Sequence, residues 1–143
     1  MNDKEQLERV VRFYERLELS TVRDVRAVYT PDAYFKDPFN EVGGHDAIIR
    51  IFEHMFTQVD QPSFVVHTSM AQGGQGFLVW EFRYHMKRLA KGPQIIRGSS
   101  HLVFDGEGRV CMHRDYWDAA EELYEKIPLL GGFMRLLKRR ANS

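Results

Sequence analysis

The chain has 143 residues with Lys plus Arg and Asp plus Glu balanced at 20 each, so no net field recommends nucleic acid, a membrane or a highly charged substrate as partner. A hydrophobic fraction of 43% and an aromatic fraction of 13% fit one folded domain over 1–143 with an aromatic interior and exclude bulk disorder. The single cysteine, Cys111, excludes an internal disulfide. MNDKEQLERVV lacks a signal peptide's apolar run, and no stretch reaches the roughly 20 apolar residues of a membrane span, so a cytoplasmic location is expected.

Leu7, Val10, Val11, Tyr14 and Leu17 recur at helical spacing among charged residues, which predicts an amphipathic first helix with Tyr14 on its buried face. Thr21 and Asp24 have the form of a capping box opening a short second helix, with Val22, Val25, Val28 and Tyr29 as its apolar side and Thr30-Pro31-Asp32 ending it. "AYFKD" reads as a brief strand stopped by Pro38, and Gly43-Gly44 as the turn into a third helix faced by Ile48, Ile51, Phe52, Met55, Phe56 and Val59. From Ser63 the period changes to two. "SFVVHTSMAQ", "FLVWEFRYHMK", "QIIRGSSHLVF" and "RVCMHRDYWDA" are strand-like runs separated by turn signals at hairpin spacing. A last helix begins near Ala119, forming a C-terminal helical extension over 119–143 that is interrupted around Pro128 and Gly131-Gly132.

Helices first and strands after imply an α+β domain, a curved, mostly antiparallel sheet wrapped around three N-terminal helices with a C-terminal helix added. Such a cone encloses a natural ligand space. Alternation places Cys111, His113, Asp115 and Trp117 on one strand face. It likewise groups Ile96, Gly98, Ser100, Leu102 and Phe104, and Leu78, Trp80, Phe82, Tyr84 and Met86. The expected pocket lining is Phe52, Phe56, Trp80, Phe82, His113 and Trp117. The six histidines show neither HxH nor HExxH spacing and the glycines no GxGxxG pattern, so neither a metal nor a cofactor is expected.

The element order, together with "VVRFYERL", "YFKDPFNEVGGHDAI", "SSHLVFDGEGRV" and "HRDYWD", resembles the nuclear transport factor 2-like superfamily and, within it, the SnoaL-like, ketosteroid-isomerase-like group. The resemblance implies a small apolar ligand and a homodimer through the outer face of the sheet. The fold hosts isomerases, dehydratases, epoxide hydrolases, polyketide cyclases and noncatalytic binding domains alike. In ketosteroid isomerase a carboxylate base shuttles a proton while a tyrosine and a protonated aspartic acid stabilise the dienolate oxygen. Position by position, Asp37 in Lys-Asp-Pro matches that base and Tyr14 the oxyanion tyrosine, while Ser100, followed by His101, stands where the protonated acid is expected. Asp115 in "HRDYWD" matches the pocket Asp of the hydrolase and cyclase branches. The hydrolase's Arg-x-Asp pair has no complete counterpart around Arg83.

Each candidate also has a plainer reading. Asp37 suits an ordinary Asp-Pro turn as well as a pocket base, and Asp115 suits a salt bridge with the neighbours of Arg114 or with Arg97 as well as acid-base work. Tyr14 suits a core tyrosine. The basic amphipathic tail with Arg135, Lys138, Arg139 and Arg140 fits packing on the domain or a second subunit, and membrane contact is its other reading. The expectation is therefore a cofactor-free isomerase or cyclase in which Asp37 or Asp115 moves a proton and Tyr14 with Ser100 donates to an enolate, or else a noncatalytic ligand-binding or interaction domain.

Overall fold

The computed structural model describes residues 2–87 and 92–122. Helix α1 spans Asp3–Glu15, opened by the Asn2 side chain, which accepts from the Glu5 amide at 2.8 Å, with Asp3 and Glu5 at the positive end of the helix dipole. Its apolar stripe of Leu7, Val10, Phe13 and Tyr14 is buried against the sheet.

The next stretch differs from the pattern read in the sequence. A 3-10 turn covers Leu19–Asp24 and only one α-helical turn follows, α2 at Val25–Val28. The turn is opened not by Thr21 as cap but by Glu18, whose amide donates to Thr21 Oγ1 at 2.9 Å. Tyr29 is no longer helical; it is fully buried as the first residue of β1, Tyr29–Lys36. The physical cause lies two residues on, because Pro31 disfavours a helical Thr30 and brings no amide hydrogen, so the chain becomes extended before it. A short strand β2, Glu41–Gly43, then pairs back on β1, and Gly44 turns into α3, His45–Gln58, with φ 93°, a value that suits glycine.

Strands β3, Val59–Gln72; β4, Gln75–Met86; β5, Pro93–Phe104; and β6, Val110–Tyr116, complete one open sheet of order β2-β1-β6-β5-β4-β3. All pairings are antiparallel except β1 with β6. Register shifts between Asp60 and Ser63 and between Val66 and Thr68 bulge the long β3, and Gln61 takes a φ of 51° there; bulges of this kind bend a strand and help the sheet wrap the helices. Alternation along β4 buries Leu78, Trp80, Phe82 and Tyr84 and leaves Phe77, Val79 and Arg83 on the outer face. A final turn, α4, covers Ala119–Glu122; the rest of the expected extension, and the basic tail with it, lie outside the described residues. No described helix is long and apolar enough to cross a membrane.

Register positions the site. Ser100 faces Asp115 across β5 and β6 and Leu78 across β4 and β5, and His113 is flanked by Leu102 on one side and Phe35 on the other. One inner-face row therefore carries a serine, a carboxylate and an imidazole opposite the tyrosine of α1.

Candidate active site

Six side chains from five elements form one hydrogen-bonded chain. The Trp80 indole N–H donates to Ser100 Oγ at 2.8 Å, and Ser100 donates to Asp115 Oδ1 at 2.5 Å. His113 Nε2 meets the same Asp115 oxygen at 2.6 Å. On the other side of the ring, Nδ1 lies 2.7 Å from the Tyr29 hydroxyl, which lies 2.5 Å from the Tyr14 hydroxyl. Tyr14 itself is 3.4 Å from Nδ1, too far to replace Tyr29 as first partner.

The directions follow from what each group can do. An indole nitrogen only donates, so Ser100 must accept from Trp80 and spend its own hydrogen on Asp115. Asp115 Oδ1 is thereby an acceptor, which calls for a hydrogen on His113 Nε2. Both donors stabilise the carboxylate charge. The His113 side chain is 2% exposed and that of Asp115 is 16% exposed, so the imidazole is sealed in the core while the carboxylate touches solvent.

Their surroundings keep the two tyrosines in the neutral form. Burial, then the neighbouring Tyr29 hydroxyl and the Asp115 charge, push Tyr14 well above its ordinary value. Tyr29 is also raised, chiefly by burial. Both rings pack edge-on against Phe13, while Phe52 and Phe64 close on Tyr14 and Phe35 tilts over His113.

A cavity of about 30 Å³ opens at this chain, lined by Tyr14, Phe52, Phe64, Val66, Leu78, Trp80, Ser100, His113 and Asp115. Aromatic rings fill most of the cone, and the remaining space is on the scale of a water molecule or two. Of the residues expected to line a pocket, Trp80, Phe52 and His113 do so. Phe82 instead stacks between Tyr84 and Phe64, Phe56 packs at the core's edge, and Trp117 sits beside Gly98 and Phe39.

Of the four candidate catalytic residues, the structure brings Tyr14, Ser100 and Asp115 together and places Asp37 elsewhere. Asp37 follows the end of β1, where its Oδ1 accepts from the Phe39 and Asn40 amides at 2.8 and 2.7 Å and its own amide donates to the Asn40 carbonyl at 2.9 Å. That is the turn its Asp-Pro sequence favours; the turn amides hold the carboxylate, and it is absent from the cavity lining. Of the two salt-bridge partners expected for Asp115, Arg97 reaches Glu122 at 4.0 Å instead, while His113, a chain neighbour of Arg114, does meet the carboxylate at 2.6 Å.

Three members of the chain, Trp80, His113 and Tyr29, are not among the catalytic candidates. Strand alternation groups His113 with Asp115, and the role expected of it is pocket lining only. Helical spacing groups Tyr29 with Val22, Val25 and Val28; the signal that finds its true place is Thr30-Pro31, which ends the helix and puts Tyr29 in an extended strand with Ala33 and Phe35. Among the described residues no group of three or more His, Cys, Asp or Glu side chains is arranged to hold a metal ion.

Comparison with known proteins agrees with this architecture. The family profile of the SnoaL-like domain matches residues 10–113, ending two residues before Asp115. No curated protein matches the chain. Among solved structures, a protein designated a SnoaL-like polyketide cyclase from Jannaschia superposes with a TM-score of 0.77 at 14% identity, covering 89% of this chain and 94% of that one. An epoxide hydrolase of the LEH-like kind from M. tuberculosis gives 0.70 at 18% identity over 96% and 94% of the two chains. A ketosteroid isomerase-like fold protein from Catenulispora acidiphila, in complex with trimethylamine, gives 0.73 at 12% identity over 90% and 95%. At these identities the likeness fixes the fold alone.

Proposed function

The chain belongs to the SnoaL-like domain family, and from that premise we propose that it binds a small molecule and that Asp115 performs cofactor-free proton transfer on an apolar carbonyl compound, as an isomerase or cyclase would. One observation carries the reading: Asp115 has Oδ1 held by Ser100 and His113 at the wall of an apolar cavity that Tyr14 also lines. A carboxylate fixed through one oxygen has the other available as a base, and a neutral tyrosine nearby is the donor an enolate oxygen needs. Ser100 orients the base in this scheme. Asp37 keeps the turn.

A second reading has its own support in the small volume of the cavity: the same residues close the core of a noncatalytic ligand-binding or interaction domain. The Catenulispora relative's complex with trimethylamine supports a guest of small size at most. We also infer a homodimer through the outer face of the sheet, where Met70, Phe77, Val79 and Tyr116 are exposed.

The test is the conversion of a small β,γ-unsaturated ketone to its conjugated isomer, followed by ultraviolet absorbance. Wild type is expected to accelerate it and Asp115→Asn to be slower by about 10²- to 10⁴-fold. Equal rates for wild type and variant, or no acceleration, leave the binding reading in place of the enzyme.

A further inference from the structure

Donor bookkeeping along the buried chain allows two arrangements, and they differ in what the cavity offers a ligand. His113 Nε2 carries a hydrogen for Asp115 in both. When Nδ1 is bare, the Tyr29 hydroxyl donates to it across 2.7 Å and Tyr14 donates to Tyr29 across 2.5 Å, so Tyr14 has no hydrogen left for a guest. When Nδ1 carries a hydrogen, Tyr29 accepts from the ring and donates to Tyr14, and the Tyr14 hydrogen is released to the cavity. A single proton on His113 reverses both tyrosines.

We propose that Tyr14, Tyr29, His113 and Asp115 form one reversible proton relay, in which seating the oxygen of a small enolisable carbonyl compound at Tyr14 is coupled to proton uptake by His113. The coupling is obligatory in this geometry, because the oxygen needs a donor that only the doubly protonated ring frees. The relay rests on the proposed acid-base reading and extends it from Asp115 to Tyr29 and His113, which touch no substrate and act by positioning and passing hydrogens.

The chemical step balances. Asp115 takes the proton α to the carbonyl as that C–H bond breaks, and the electron pair moves through the new C=C bond to the oxygen. Tyr14 gives its proton to that oxygen, Tyr29 gives its own to Tyr14, and His113 gives the Nδ1 proton to Tyr29. The products are the enol, a protonated Asp115 and a singly protonated His113, with no oxidant, reductant or cofactor consumed. Running the oxygen side backwards while Asp115 protonates a different carbon yields an isomerised ketone and the starting site.

The groups that meet His113 are few. Tyr14 comes from α1, Tyr29 and Phe35 from β1, Leu102 from β5 and Asp115 from its own strand. His45 of α3 reaches the Tyr29 backbone carbonyl, 2.7 Å away, and not its hydroxyl. Asp115 is the one carboxylate that meets the ring among the described residues, at 2.6 Å.

The test is nitrogen NMR of the His113 ring with acetone and cyclopentanone as probes, joined to calorimetry in two buffers of different ionisation enthalpy. On saturation both ring nitrogens are expected to take the protonated signature, with net proton uptake, and probe affinity to fall as pH rises with a limiting slope of one proton. Tyr29→Phe is expected to abolish the uptake and to slow α-deuterium exchange of the probe by about tenfold or more. If a probe binds and His113 stays singly protonated, the relay is overturned while Asp115 as base stands. If uptake accompanies binding but no exchange occurs, the base reading fails and the coupling survives. Failure of both probes to bind overturns the relay for this ligand class, and the wild-type spectrum decides even if Tyr29→Phe does not fold.

Discussion

Replacing Gly98 by Ala should damage the site without altering any polar group in it. A Cβ built on Gly98 lies 2.5 and 2.7 Å from the Trp80 ring atoms Cη2 and Cζ2 and 3.1 Å from Trp117 Cβ. The large indole is bounded by Phe64 and by Ser100, whose Oγ it must reach, so it cannot retreat without giving up that bond. Overpacking of this kind costs about 1–3 kcal/mol, and losing the Trp80–Ser100 hydrogen bond adds about 0.5–1.5 kcal/mol. The sum, about 1.5–4.5 kcal/mol, is readable by urea unfolding and in a lowered Tm. Phe in place of Trp80 lacks the two clashing atoms, so the Trp80→Phe, Gly98→Ala double variant should lose less than the two single variants together, with a coupling of at least about 1 kcal/mol. A cost for Gly98→Ala below about 0.5 kcal/mol, or strict additivity, would refute the claim that glycine is there to let the indole cross β5.

Asp37→Ala should lower stability by about 0.5–1.5 kcal/mol through the lost turn bonds, read by urea unfolding, and leave ligand affinity at the cavity unchanged. Because Tyr14 and Tyr29 are raised above 10.0 in the folded protein, that state holds their protons more tightly than the unfolded chain does. Their contribution is complete below pH 10 and is lost as pH climbs towards the raised values; ionisation followed by absorbance near 295 nm should show these two delayed until the protein unfolds. Phe77→Asp on the outer face should convert the inferred dimer to a monomer in light scattering while the fold, followed by circular dichroism, persists.

The long periodic segments were legible in the sequence because burial and chain period agree there. Alternation in β4 and β5 puts Trp80 and Ser100 on the inner face, where both are buried, since a strand's side chains can face only two ways; in β6 it groups His113 with Asp115 without deciding which face is inner. Local competition hid the rest. Val25, Val28 and Tyr29 have helical spacing, but Pro31 ends the helix earlier than that spacing suggests and hands Tyr29 to the sheet. Asp37 carried a motif that fits two roles, and the choice depended on where the Phe39 and Asn40 amides point, which no spacing encodes. The volume left in the cone was equally hidden, because it is what remains after Tyr14, Phe52, Phe64 and Trp80 have packed.

In the proposed reaction the base is Asp115 and not Asp37. Initial rates of α-deuterium incorporation into cyclopentanone in D2O, measured by proton NMR for Asp115→Asn and Asp37→Asn beside wild type, test it most directly. Asp115→Asn should lose about 10²-fold or more and Asp37→Asn should keep the wild-type rate. The reverse pattern would contradict it.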